Sequence, residues 1–90
     1  MKFTTFLAKS FDIETCNRVI PDENGKNITE LWVYEKGEDC EPLLILRATE
    51  GVSGWIVANV YSELPDGLQV NEEQFKKMIK NGEVKSKFEK

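Results

Sequence analysis

No histidine occurs anywhere in this chain, which removes the commonest general base and the commonest metal ligand together. Cysteine is scarce too. Cys16 and Cys40 stand 24 residues apart with no CxxC pair, so one chain cannot assemble the usual four-ligand zinc site from nitrogen and sulfur. Oxygen ligands are plentiful, yet neither "DENGKNITE" nor "EKGEDCE" follows the calcium-loop spacing of alternate acids, a glycine and a terminal glutamate. No phosphate-cradling glycine loop precedes a helix, and a Ser-His-Asp set is impossible. The expectation is no catalytic residue, no metal and no cofactor, and hence a chain that is not an enzyme.

Long apolar runs are also missing. Nothing approaches the ~20 consecutive apolar residues of a membrane-spanning helix. The N-terminal "MKFTTFLAKSFD" has an apolar part of only Phe3 to Ala8, below the ~7–15 residues of a signal-peptide core. These readings predict a cytoplasmic protein away from membranes, with Cys16 and Cys40 as reduced thiols. Cys40 lies between Asp39 and Glu41, whose negative potential disfavours a reactive thiolate.

What the chain does contain is enough apolar residues for one core. Ninety residues, 40% of them hydrophobic and 31% charged, predict a single folded domain over 1–90. Acids outnumber bases by 16 to 12, and the imbalance is uneven. Residues 1–70 carry a net charge of -6, while the lysine-rich 71–90 carry +2. An acidic body repels nucleic acid and suits a basic partner.

Alternation predicts strands over most of the length. Phe3, Thr5 and Leu7 alternate as a first strand, and Phe11, Ile13 and Thr15 as a second. Asn24-Gly25 is a two-residue hairpin signal; with it as the turn centre, Cys16 falls opposite Val33 and Arg18 opposite Leu31, placing Cys16 on the Leu31 and Val33 face. In "ITELWVYE", Trp32 and Tyr34 share one face and Leu31 and Val33 the other. "PLLILRAT" and "WIVANVYS" are apolar on both faces, as interior strands are, and "LPDG" is a turn.

One helix is predicted over about 71–81. Asn71 caps it with Gln74 three residues on, acids precede lysines, and Phe75, Met78 and Ile79 form the buried stripe. Residues 83–89 then alternate, either as a short edge strand docked through Phe88 or as a frayed tail. The fold class is α+β: an antiparallel sheet of about 4–6 strands built from hairpins and packed by one C-terminal amphipathic helix.

The candidate site is a partner-binding surface. Glu35, Glu38, Asp39 and Glu41 crowd a glycine-containing link, Glu50 adds a further acid, and Trp32 and Tyr34 supply aromatic anchors. Acids in a turn are ordinarily solvated, so the link reads as a charged rim rather than a catalytic pair. The expected function is a small acidic protein-interaction module, an inhibitor or regulator that binds a basic macromolecular surface such as a nucleic-acid-binding groove. The alternatives are a homodimeric accessory domain joined through a second apolar sheet face, and a small nucleic-acid binder using the C-terminal lysines.

Overall fold

The computed structural model describes residues 2–19, 25–37 and 41–87. Seven elements follow one another: α1 (Phe3–Ser10), β1 (Asp12–Val19), β2 (Asn27–Tyr34), β3 (Leu44–Thr49), β4 (Trp55–Asn59), β5 (Gln69–Val70) and α2 (Glu72–Lys80). The strands form one antiparallel meander in the order β1-β2-β3-β4-β5. This is the α+β class that the sequence predicts.

The first element differs: residues 3–10 are a helix, not a strand. Phe3, Leu7 and Phe11 are buried, a spacing of four that satisfies both a period of two and a helical turn. Thr5 separates the two readings. Strand alternation places it inside, whereas in the helix it faces solvent. The β-propensity of Phe and Thr yields here to packing of one helical stripe onto the sheet.

The β1–β2 register also differs. Cys16 lies opposite Glu30 rather than Val33, and Arg18 opposite Ile28 rather than Leu31. The pairing ends at Val19 and Asn27, so the connection exceeds two residues. Gly25 has the positive φ expected of it, 60°, while Asn24 lies outside the described residues. A turn centred on Asn24-Gly25 would extend the ladder through Pro21, which has no N–H to give. The register moves by three positions, an odd number, so Cys16 changes faces and is exposed.

The core lies on one side of the sheet. Leu31 and Val33 of β2, Leu44 and Leu46 of β3, Val57 of β4 and Val70 of β5 pack beneath Phe3 and Leu7 of α1 and Phe75 of α2. Phe3 touches both the Trp55 ring, at 5.7 Å, and the Phe75 ring, edge-on at 6.1 Å. Aromatic contacts thus join the two helices over the sheet.

The second helix is as predicted. The Asn71 side chain accepts from the Gln74 N–H, and the Gln74 side chain accepts from the Asn71 N–H. Phe75 is fully buried, and Met78 and Ile79 pack half-buried against the core. In place of a regular final strand, the described residues there carry an isolated bridge between Ser62 and Ser86. Val84 beside it is buried, and Phe88 lies outside the described residues.

Candidate interaction face

Because both helices sit over Leu31, Leu46 and Val57, side chains of the opposite parity stand on a face that neither helix covers. Register places Glu14, Trp32, Ile45 and Ala58 in one row across it. The next row is Cys16, Glu30, Arg47 and Ile56. Trp32, Tyr34 and Ile45 are half-buried, and Ile56 is 42% exposed. The face is a mixed aromatic and aliphatic surface crossed by charges.

At its centre is Glu30, only 1% exposed although neither α1 nor α2 lies above it. Its neighbours on the face cover it. Arg47 Nε donates to Oε2 at 2.8 Å, Arg18 Nη1 to the same oxygen at 3.2 Å, and Trp32 Nε1 to Oε1 at 3.1 Å. Burial pushes the carboxyl pKa up. The hydrogen bonds from Arg47, Trp32 and Arg18 and the charge of Arg47 outweigh it and hold the pKa below the ordinary glutamate value. Glu30 also fixes the indole of Trp32, which orients an otherwise half-exposed ring.

Among the described residues, Trp32, Tyr34 and Glu35 lie toward one end of the sheet and Glu50 toward the other. Trp32 and Tyr34 are neighbours on the open face, as expected. The Tyr34 hydroxyl points to Glu14 Oε2 at 3.5 Å, and partial burial followed by the Glu14 charge pushes the phenol up. Glu35 continues from β2 at the Asp12 end of the sheet. There the Asp12 carboxylate accepts from the Gly37 N–H at 3.1 Å, and Lys36 Nζ donates to the Lys9 carbonyl at 2.9 Å. These bonds tie the start of the acidic link to the α1–β1 corner.

Glu41 is exposed and accepts from the Tyr61 hydroxyl, which raises the Tyr61 pKa through that bond and the Glu41 charge. Glu50 follows β3 at the other end of the sheet, where its N–H bonds the Asn27 carbonyl. Six strand residues, about 20 Å, separate that end from the Glu35 end. Glu38 and Asp39 lie outside the described residues.

Sequence reasoning missed Glu30, Arg18 and Arg47. The signal was present: an acid in "ITELWV" and an arginine in "LILRAT", both inside apolar strands. Charges in such strands are retained when they pair. Among the described residues no three Cys, Asp or Glu side chains converge as a metal cage. A surface hollow of about 300 Å³ beside Arg47, Trp55, Gln69 and Gln74 has no carboxylate in its lining. No helix among the described residues is long and apolar enough to cross a membrane. Compared with family models, curated proteins and solved structures, the chain has no match.

Proposed function

We propose that this chain is a protein-interaction module that binds a basic surface of another protein through its open sheet face, and acts as an inhibitor or regulator by occupying that surface. The observation that carries this reading is the pairing of aromatic rings with acids at one end of the face. Trp32 and Tyr34 stand two residues apart on β2, and Glu14 and Asp12 are their direct partners on β1. A lysine or arginine laid across that corner meets a ring face and a carboxylate at once. The overall charge of -4 steers the same class of partner and opposes nucleic acid. Glu35 and Glu41 extend the acidic character toward the β3 end, while Glu38 and Asp39 add sequence charge to the same link.

The test uses an immobilised oligo-arginine peptide beside double-stranded DNA, at low salt. The peptide retains the protein and the DNA does not. Trp32→Ala with Glu14→Gln weakens peptide binding at least tenfold in a chain whose circular dichroism is unchanged. Equal retention of the wild type and this variant, or preference for DNA, defeats the reading.

A further inference from the structure

The two edges of the sheet are built differently. β5 is two residues long and offers almost no ladder to a newcomer. β1 is eight residues long, has no proline or glycine, pairs without a break along β2, and is exposed at every residue but Ile13. No strand among the described residues lies on its outer side. Natural sheets blunt edges by brevity, bulges, proline or charged side chains. β5 is blunted by brevity; β1 has neither brevity, bulge nor proline, and its charges Asp12, Glu14 and Arg18 are of both signs, so they can pair across the edge as well as repel.

The outward-facing backbone groups can be assigned. Glu50 N–H bonds Asn27 C=O and Leu43 N–H bonds Val33 C=O, so odd-numbered residues of β2 face β3. The even-numbered ones face β1 and bond their partners Asp12, Glu14, Cys16 and Arg18. The backbone groups of Ile13, Thr15, Asn17 and Val19 therefore point outward.

We infer that a second copy of this chain pairs with that edge, β1 against β1, antiparallel about a twofold axis at Cys16. The register follows from self-complementarity. It sets Glu14 opposite Arg18 of the second copy, twice by symmetry, and Ile13 opposite Val19, which is 68% exposed in the single chain. Thr15 and Asn17, whose side chains bear hydrogen-bonding groups, face each other in the same way. Arg18 gives Nη1 to Glu30 and is 57% exposed, so the rest of its guanidinium fork is placed for Glu14 of the second copy. An axis at Thr15 instead sets Ile13 against Asn17 and Glu14 against Cys16, losing both matches. The paired edges give one sheet of twice five strands. This inference stands on the β1 edge and does not rest on the open-face reading, although Glu14 takes part in both; its edge variants Thr15→Pro and Val19→Lys leave Glu14 and Trp32 in place, so the two can fail separately.

Cys16 meets its own copy as a non-hydrogen-bonded pair, about 4.5 Å between Cα atoms, within the ~4.4–6.8 Å that a disulfide spans. The experiment uses the full chain with Cys40→Ser, leaving Cys16 as its single cysteine. Sedimentation over a concentration series should reach twice the 10.3 kDa chain mass. Diamide, a thiol oxidant, should close Cys16 on Cys16 in the folded dimer, and dithiothreitol should reopen it. Thr15→Pro removes an outward N–H without touching the β2 ladder and should leave a folded monomer. Val19→Lys, at an exposed position, should weaken the dimer roughly tenfold and serves if the proline variant fails to fold. A chain that stays at 10.3 kDa throughout overturns the inference. So does a dimer that Cys16 does not cross-link, or one that survives both edge variants.

Discussion

Arg47 Nε lies 2.8 Å from Glu30 Oε2, pairing two residues of opposite sign on adjacent strands of the sheet face that neither α1 nor α2 covers. Arg47 is 43% exposed and Glu30 1%, so the pair is sealed on one side only. Among the described residues no buried side-chain nitrogen or oxygen lacks a partner. Such a pair is stabilising less through its own attraction than through the cost of leaving Glu30 unpaired.

Breaking this cluster should show in acid. The Glu30 pKa is lower in the fold than in the unfolded chain, so the group contributes stability above its unfolded value, near 4.5. That contribution is lost as pH falls through the lower folded value. Glu30→Gln should flatten this part of the acid limb in urea unfolding followed across pH. Arg47→Met should destabilise the fold at neutral pH by about 1–3 kcal/mol, since it takes away the shortest charged partner of a buried carboxylate. An unaltered acid limb in Glu30→Gln would assign the acid sensitivity to other carboxylates.

The fold was legible where one pattern had a single reading. In α2 the cap, the charge order and the Phe75 stripe agree, and its bounds came out within a residue of the expectation. In α1 they do not: Phe3 and Leu7 fit two periods, and only burial of the whole stripe decides. The site was less legible for the same kind of reason. Trp32 and Tyr34 could be placed on one face by parity alone, but the partners of that face depend on the β1–β2 register. Asn24-Gly25 suggested one register, and the observed pairing lies three residues from it. With the register moved, Cys16 left the core side and Glu30 gained Arg18 as a neighbour. Glu50 joined the acidic link only in sequence, because a six-residue strand carries the chain the length of the sheet.

Phe75→Ala should cost about 3–5 kcal/mol, because the ring is fully buried and the helix has no other fully buried anchor. The edge-on contact with Phe3 adds a coupling. A double-mutant cycle of Phe3→Leu and Phe75→Leu should return about 0.5–1.5 kcal/mol of interaction. Denaturant unfolding measures both quantities. Additive losses would place the two rings in separate parts of the core.

Gly54 has a φ of 88°, and a Cβ there would stand 3.1 Å from the Val70 carbonyl oxygen. Val70 immediately precedes the Asn71 cap, so a displaced Val70 moves the start of α2. Gly67 has nearly the same φ, 83°, with nothing within 4 Å of its Cβ position. Gly67→Ala should therefore cost only the backbone penalty of a positive φ, about 1 kcal/mol. Gly54→Ala should cost more, about 2–3 kcal/mol, and should reduce helical circular dichroism as well as the unfolding midpoint. Equal losses at the two positions would show that the Val70 carbonyl yields without consequence.

Both tyrosines report on acids beside them. For Tyr34 the upward shift comes first from partial burial and then from Glu14, while for Tyr61 the Glu41 carboxylate is the first cause. Glu41→Gln should therefore lower the Tyr61 pKa more than Glu14→Gln lowers that of Tyr34. Phenolate absorbance during alkaline titration follows both groups, and Tyr→Phe at either position assigns them. A phenol whose pKa is raised in the fold contributes stability in full below its unfolded value of about 10. That contribution is lost as pH rises through the higher folded value. Wild type should thus lose more stability than Glu41→Gln across that alkaline window, and the two should be alike in sensitivity near neutral pH. If Glu41→Gln leaves both phenol titrations unchanged, Glu41 is not bonded to Tyr61, and the acid at the β3 end is a fully solvated charge.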